Sequence, residues 1–132
     1  MSDTIAQSRL AFDSSVIILF LNGKLPTEFL LRFEQGIECG KALISAVVRA
    51  EVLAWPQHTE ASLVVATDLL DLFELVSVDV HVANEAGRIR RETGLKLPDA
   101  LIAATALLQG AALVTANAND FRRVPGLTLI ET

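Results

Sequence analysis

Short apolar strands without polar alternation are the feature that most constrains the fold of this chain. Segments such as Ala42-Leu43-Ile44 and Ala112-Leu113-Val114 are apolar at successive positions, although the side chains of a strand point alternately to its two faces. Strands of this kind are buried on both faces, which is typical of parallel sheets covered by helices. We predict strands over residues 9–12, 42–44, 75–78, 112–115 and 127–130.

Segments with helical periodicity fill the intervals between these strands. Helices are predicted to begin at Ser14 and at Pro26, and further helices over 46–55, 60–74, 81–93 and 99–109. The alternation predicts an α/β fold, Rossmann-like, with a short parallel sheet flanked by helices on both faces. Residues 1–8 are polar and are expected to form a flexible leader, so that a single domain covers 9–132.

Charge and composition exclude several classes of function. The 11 basic and 16 acidic residues give a net charge of −5, which is not typical of a protein that coats nucleic acid. The longest strongly apolar run, Val16 to Leu21, is far shorter than the ~20 residues of a membrane span, so no membrane partner is expected. The only cysteine, Cys39, is expected to be a small buried apolar residue and indicates a cytoplasmic location.

Acidic residues recur where a sheet of this kind binds ligands, beyond the carboxyl ends of its strands. Asp13 directly follows the first strand, Asp99 opens the helix before the fourth, and Asp120 lies in the turn after the fourth. Each of the three also has an ordinary structural explanation. Asp is a common helix cap, a favourable charge in a first helical turn, and a frequent turn residue.

Glu51 is a charged residue on an apolar helix face. It lies four residues after Val47 and four before Trp55, within the apolar stripe of its helix. A carboxylate in that position is unfavourable unless it is paired or binds a metal. One interpretation is an internal ion pair with an arginine. The other is a crevice of four carboxylates, whose mutual repulsion a hard divalent cation such as Mg²⁺ or Mn²⁺ removes.

These motifs together resemble those of the PIN-domain nucleases, and among them the VapC-like toxins of type II toxin–antitoxin pairs. The resemblance covers roughly positions 9 to 131 and rests on four segments: Phe12-Asp13-Ser14-Ser15, Glu51 in its helix, Leu97-Pro98-Asp99-Ala100, and Thr115-Ala116-Asn117 with Asp120-Phe121. Two positions depart from the family pattern. Ser15 stands where the family often has Asn, and Ala116 stands where many members have a basic residue.

The resemblance implies a PIN-like fold and a metal-dependent endoribonuclease that cleaves RNA phosphodiester bonds as the toxin of such a pair. Its implied cofactor is Mg²⁺ or Mn²⁺, and its implied partners are RNA, a cognate antitoxin protein and a second copy in a homodimer. The implied catalytic and metal-binding residues are Asp13, Glu51, Asp99 and Asp120. The residues implied to hold these carboxylates in place are Ser14, Ser15, Thr115 and Asn117. The residues implied to bind RNA are Arg88, Arg90, Arg91, Arg122 and Arg123.

Two other functions are compatible with such a chain. The first is a non-catalytic PIN-like module that binds RNA or protein, which would be favoured if the four acids bound no metal. The second is a phosphatase or phosphoacceptor domain with Asp13 as its nucleophile. Sites of the second kind usually need another acid two residues on, where this chain has Ser15, so this function is disfavoured.

Overall fold

Strands and helices alternate throughout residues 9–131, the part of the chain that the computed structural model describes; the leader expected over residues 1–8 lies outside it. The strands are β1 (Leu10–Phe12), β2 (Ala42–Ser45), β3 (Glu74–Val76), β4 (Ala112–Thr115) and β5 (Leu129–Glu131). The helices are α1 (Ser14–Leu21), α2 (Thr27–Glu38), α3 (Ala46–Leu53), α4 (Glu60–Leu70), α5 (Val80–Thr93), α6 (Leu97–Leu108) and α7 (Ala118–Phe121). The predicted α/β fold is confirmed.

The strands form one parallel sheet in the order β3-β2-β1-β4-β5. The chain first adds β2 and β3 on one side of β1, then returns to place β4 on its other side. Because parallel connections are right-handed, this reversal puts the helices before and after it on opposite faces. It also opens a crevice at the carboxyl ends of β1 and β4, the usual ligand position in such sheets.

The three central strands are buried at every position, as their uninterrupted apolar sequences predict. On one face, Phe12 meets Phe33 of α2 and Phe73 edge-on, with ring centroids 5.2 and 5.6 Å apart. Phe20 of α1 stacks on Phe33 at 4.5 Å. Helix α6 packs against β1, β2 and β4, and its buried side chains are mostly alanine. These contacts fix the helices that carry the candidate site against the sheet.

Three predicted features are wrong in detail. Helix α4 ends at Leu70 and not at residue 74, because Phe73 enters the core from a turn while its neighbour Leu72 is exposed. The third strand begins at Glu74 and is an edge strand, largely exposed, so its apolar sequence does not report burial. The last strand begins at Leu129, after a turn in which Gly126 has a φ of +79°.

Cys39 is exposed, at the end of α2, and is not the buried apolar residue expected from the sequence. The apolar run from Val16 onward lies in α1, an eight-residue helix. Among the described residues, no helix combines the length and the apolar character that a membrane span requires.

The aromatic cluster predicts a clear stability difference between two variants of α2. Phe33 is 1% exposed and touches three other rings, whereas Leu31 of the same helix is 54% exposed. Phe33→Ala is expected to lower the free energy of unfolding by about 3–5 kcal/mol because it leaves a cavity. Leu31→Ala, the control, is expected to change it by about 0.5 kcal/mol or less. Equal losses in urea unfolding would contradict this packing.

Candidate active site

Asp13 occupies the end of β1 and is held in one orientation by three donors. Its side chain is 3% exposed. One carboxylate oxygen, Oδ1, accepts the Ser14 backbone N–H at 2.8 Å, as a helix cap does. The other, Oδ2, accepts the hydroxyls of Ser15 at 2.9 Å and of Thr115 at 2.8 Å. Asp13 is therefore both the cap of α1 and a fixed carboxylate at the crevice.

Backbone groups of the loop after β4 determine the direction of these hydroxyl bonds. The N–H of Ala116 donates to Ser15 Oγ at 3.1 Å, and the N–H of Asn117 donates to Thr115 Oγ1 at 2.9 Å. Since each hydroxyl already accepts a proton, its own proton points to Asp13. The structure thus joins the loop after β4 to the carboxylate after β1. Asn117 contributes its backbone to this network, and it is exposed.

Glu51 lies beside Asp13 because α3 follows β2 without a loop. Ser45 ends the strand and caps the helix, its Oγ accepting the Val47 N–H at 3.1 Å. Two turns into α3, the half-buried Glu51 accepts the Ser14 hydroxyl at 3.1 Å. That hydroxyl lies 3.5 Å from Asp13 Oδ1, so Ser14 stands between the two carboxylates.

The internal ion pair considered for Glu51 is not found in the described part of the chain. The ion pairs there do not include Glu51. The arginine nearest in sequence, Arg49 of α3, bonds Asp71 at 2.9 Å instead. Glu51 is therefore a half-buried acid whose hydrogen-bond partner is a hydroxyl group. Its interpretation as one half of an internal ion pair is wrong.

Burial and mutual repulsion perturb two of the four candidate acids. Burial raises the pKa of Glu51, the Ser14 hydrogen bond opposes that shift, and the charges of Asp13 and Asp99 raise the pKa further. Burial also raises the pKa of Asp99 at the start of α6, and the charges of Asp13 and Asp120 add to the rise. Asp99 therefore lies in the electrostatic field of Asp13 and Asp120, and Glu51 in that of Asp13 and Asp99, at the carboxyl edge of the sheet.

The carboxylates are close enough to repel one another but do not form a complete coordination sphere. Within residues 9–131, no three acidic, histidine or cysteine side chains are grouped closely enough to hold an ion between them. Mg²⁺ does not need such a cage, since it keeps several waters and is bound through one or two carboxylates. Hard oxygen donors with unrelieved repulsion fit an ion of this class.

A polar groove of about 360 Å³ lies beyond β4, and Asp13, Glu51 and Asp99 are not among the residues that line it. Asp120, the most exposed candidate acid, lies in the first turn of α7 and lines this groove. The residues lining it are Thr115, Ala116, Asn117, Ala118, Asn119, Asp120, Arg122 and Glu131. Asn119 and Glu131 were not among the predicted site residues, because a turn residue and a strand-end acid carry no distinctive pattern.

Two of the arginines predicted to bind RNA are ion-paired within the protein. Arg88 bonds Glu92 at 2.7 Å and also bonds Glu85, one turn away on the other side. Arg122 bonds Glu131 across the groove. These pairs are partly exposed, so they are weak and do not prevent contact with a phosphate. Their RNA-binding role stays a prediction.

Two further arginines hold backbone carbonyls near the connection between α5 and α6. Arg90 donates to the Leu95 carbonyl at 2.8 Å, and Arg123 donates to the Thr93 carbonyl at 3.2 Å. Both bonds position the segment that leads into α6 and its Asp99. Arg91 is exposed, and the structure gives it no hydrogen bond or ion pair among the described residues.

The raised pKa of Glu51 predicts that Glu51→Gln stabilises the metal-free protein at neutral pH. A raised pKa means that the folded state binds more protons than the unfolded state. The free energy of unfolding of the wild type therefore falls as pH rises from the ordinary pKa of Glu51 through its raised pKa. The variant does not carry this penalty, and its melting temperature is expected to exceed the wild-type value by a few degrees at pH 7. The difference should vanish below the ordinary pKa of 4.5, where Glu51 is protonated in both states.

Thermal melts in a chelator, from pH 4 to 8, measure this difference. Glu34→Gln is the matched control, because Glu34 is an exposed acid in the middle of α2. It should show no comparable pH-dependent gain. A melting temperature below wild type for Glu51→Gln at pH 7 would show that Glu51 is a stabilising partner and not a repelled charge.

Comparison with known proteins agrees with this architecture. The family model described as PIN domain matches residues 10–127. A curated relative, Ribonuclease VapC1 of Rickettsia felis, is 28% identical over 132 residues, with 92% of this chain and 94% of the relative covered.

Solved structures share the fold over nearly the whole chain. DNA-bound VapBC from Salmonella typhimurium superposes with a TM-score of 0.82 at 23% identity, covering 95% of this chain and 98% of that one. A toxin–antitoxin complex from Klebsiella pneumoniae gives a TM-score of 0.73 at 29% identity, covering 95% and 100%. Since the family model spans β1 to the turn before β5, the chain belongs to the PIN domain family.

Proposed function

We propose that this chain is an endoribonuclease that cleaves RNA phosphodiester bonds, depends on Mg²⁺ or Mn²⁺, and is the toxin of a toxin–antitoxin pair. The observation that carries the proposal is the group of four carboxylates at the carboxyl edge of the sheet, two of which have pKa values raised by burial and by their neighbours. Membership of the PIN domain family and a relative named as a ribonuclease support it.

In this proposal the carboxylates have different tasks because their surroundings differ. Asp13 is buried and fixed by three donors, so it provides the rigid reference point of the site. Glu51 and Asp99 are half-buried and face it, and Asp120 is exposed at the groove where RNA would enter. A bound divalent cation supplies water activation and neutralises charge on the phosphodiester.

The hydroxyl groups around Asp13 keep its carboxylate in position when substrate charge approaches. Ser15 and Thr115 are themselves fixed by backbone N–H groups, so the carboxylate has few alternative orientations. Preorganisation of this kind matters because reorienting a ligand during the reaction would raise the barrier. We therefore assign Ser14, Ser15 and Thr115 as positioning residues.

We also propose a cytoplasmic protein with an antitoxin and a second copy of this chain as partners. Structural neighbours of the chain were solved as VapBC and toxin–antitoxin complexes. Exposed apolar residues on α4, in the turn after it and in β3 would need such a cover: Leu63, Val64, Val65, Leu72 and Leu75. Apolar patches of this kind mark protein interaction surfaces.

The second candidate is a non-catalytic PIN-like module that binds RNA or protein. One observation favours it: in the described residues, no three potential ligands are grouped as a ready metal site. The two candidates differ in whether RNA is cut, and in whether the acids are required.

The direct test is cleavage of a mixed single-stranded RNA by the purified chain. Cleavage is expected with Mg²⁺ or Mn²⁺ and should stop on addition of EDTA. Asp99→Asn is expected to lower the cleavage rate more than about 100-fold. A loss of this size exceeds the one expected when a residue that only holds a metal ligand in place is removed. Asp68→Asn is the control, since Asp68 is an exposed acid on α4, and it should leave the rate unchanged.

Each outcome separates the two candidates. Cleavage that persists fully in EDTA contradicts the metal dependence. RNA binding without cleavage, unaffected by Asp99→Asn, supports the non-catalytic module instead. Thermal melts of both variants confirm that a lost activity is not a lost fold.

A further inference from the structure

The polar groove beyond β4 lies beside the candidate active site, at the ends of β4 and β5. Thr115, whose hydroxyl bonds Asp13, is the register partner of Glu131 at the end of β5. Neighbouring strands of a sheet are about 4.8 Å apart, so a ligand in the groove would lie next to Asp13 and its hydroxyl partners. The groove volume of about 360 Å³ falls at the lower end of the range for ligand pockets, about 300–1,000 Å³.

The groove has small buried residues inside and polar residues around it. Thr115 and Ala118, which are buried and have short side chains, line it from within. The exposed residues around it with polar side chains are Asn117, Asn119, Asp120, Arg122 and Glu131. Such a lining suits a small ligand that forms hydrogen bonds along its edges.

Arg122 is held by two partners that fix the plane of its guanidinium group. One terminal nitrogen donates to Asn119 Oδ1 of α7, and the other donates to Glu131 Oε1 of β5. The two bonds leave the remaining N–H groups of the guanidinium for other partners. The side chain of Arg122 is still 53% exposed, so this planar group is accessible from the groove.

The charges of the groove favour an uncharged ligand over a phosphate. Arg122 is the one cation among the described residues that line it, and Glu131 already pairs with that cation. Asp120 is a second acid, so the formal charge of the lining is −1. A nucleobase is uncharged and forms hydrogen bonds along its edges, and unpaired bases of RNA stack on arginine guanidinium planes.

We propose that the groove binds one unpaired base of the RNA, stacked on the guanidinium of Arg122. The inference rests on the proposed function, because it needs RNA as the substrate. Asn119, Asp120 and Arg122 belong to one short segment, so a base held there would fix which phosphodiester bond reaches Asp120. Every base can stack in this way, so the contact selects single-stranded RNA and not one sequence.

The test compares two single strands with the same number of phosphates, a mixed-sequence RNA and a ribose–phosphate strand without bases. Binding of the labelled strands is measured in the Asp99→Asn background, in which RNA is not expected to be cut. The additional pair of changes Arg122→Gln and Glu131→Gln removes the ion pair without altering the net charge. It is expected to weaken RNA binding at least about fivefold, as for one lost stacked base, and to leave binding of the baseless strand unchanged.

A second variant and a matched control complete the experiment. Arg122→Lys keeps the charge beside Glu131 but has no planar group, so it should lose RNA affinity and bind the baseless strand as before. The control is Arg9→Gln with Glu74→Gln, which removes a partly exposed ion pair at the amino ends of β1 and β3, the opposite edge of the sheet. It should change binding of neither strand. Thermal melts check that every variant is folded.

The results that would overturn the inference are distinguishable from failure of the proposed function. An equal loss on both strands would mean that Arg122 contacts a phosphate, and no loss on either would mean that the groove holds no base. Full RNA affinity for Arg122→Lys would show that a charge without a plane suffices. Each of these three results overturns the inference alone. If protein with Arg122 intact neither binds nor cuts RNA, the proposed function and the inference are both wrong.

Discussion

The hydrogen bond between the Thr115 hydroxyl and the Asp13 carboxylate, 2.8 Å long, joins the ends of β1 and β4 where the winding of the sheet reverses. Both residues are almost fully buried, so the bond has little competition from water. The helices before and after this reversal lie on opposite faces of the sheet, which leaves a crevice between the carboxyl ends of the two strands. This bond fixes Asp13 at the floor of that crevice, and the other acids are arranged around it.

The candidate site gathers negative charges whose burial and mutual repulsion lower the stability of the fold. Burial and neighbouring charges raise the pKa values of Glu51 and Asp99, which means that these two ionised acids lower the stability of the fold at neutral pH. Hydroxyl groups reduce this cost around Asp13 and Glu51, but they carry no positive charge. The remaining repulsion is what a divalent cation would relieve.

The alternation of short apolar strands with helices predicted the fold because burial on both faces leaves a plain signal in sequence. The positions of Asp13, Asp99 and Asp120 followed from the same pattern, since strand ends and helix starts are fixed by it. Glu51 was recognisable as a charge on an apolar stripe. Their roles as ligands remain a proposal, because a sequence pattern places acids in space but does not report what they bind.

Features that depend on contacts between distant parts of the chain were not predictable from the sequence. The edge strand β3 contains Leu75 and Val76, which are as apolar as the residues of a central strand. Leu75 is nevertheless exposed and Val76 only half-buried, because burial depends on the position of the strand in the sheet and not on its own sequence. The predicted RNA-binding arginines lie in two separate segments of the sequence, yet Arg90 and Arg123, one from each segment, bond carbonyls only two residues apart.

The measurement that tests the central claim most directly is the melting temperature of the protein as a function of Mn²⁺ concentration. An ion that binds only the folded state raises the melting temperature progressively as its concentration exceeds the dissociation constant. If the four carboxylates share a cation, wild-type protein should gain stability with Mn²⁺, and the Asp13→Asn, Asp99→Asn double variant should not. No gain for wild type, or an equal gain for the double variant, would contradict the account.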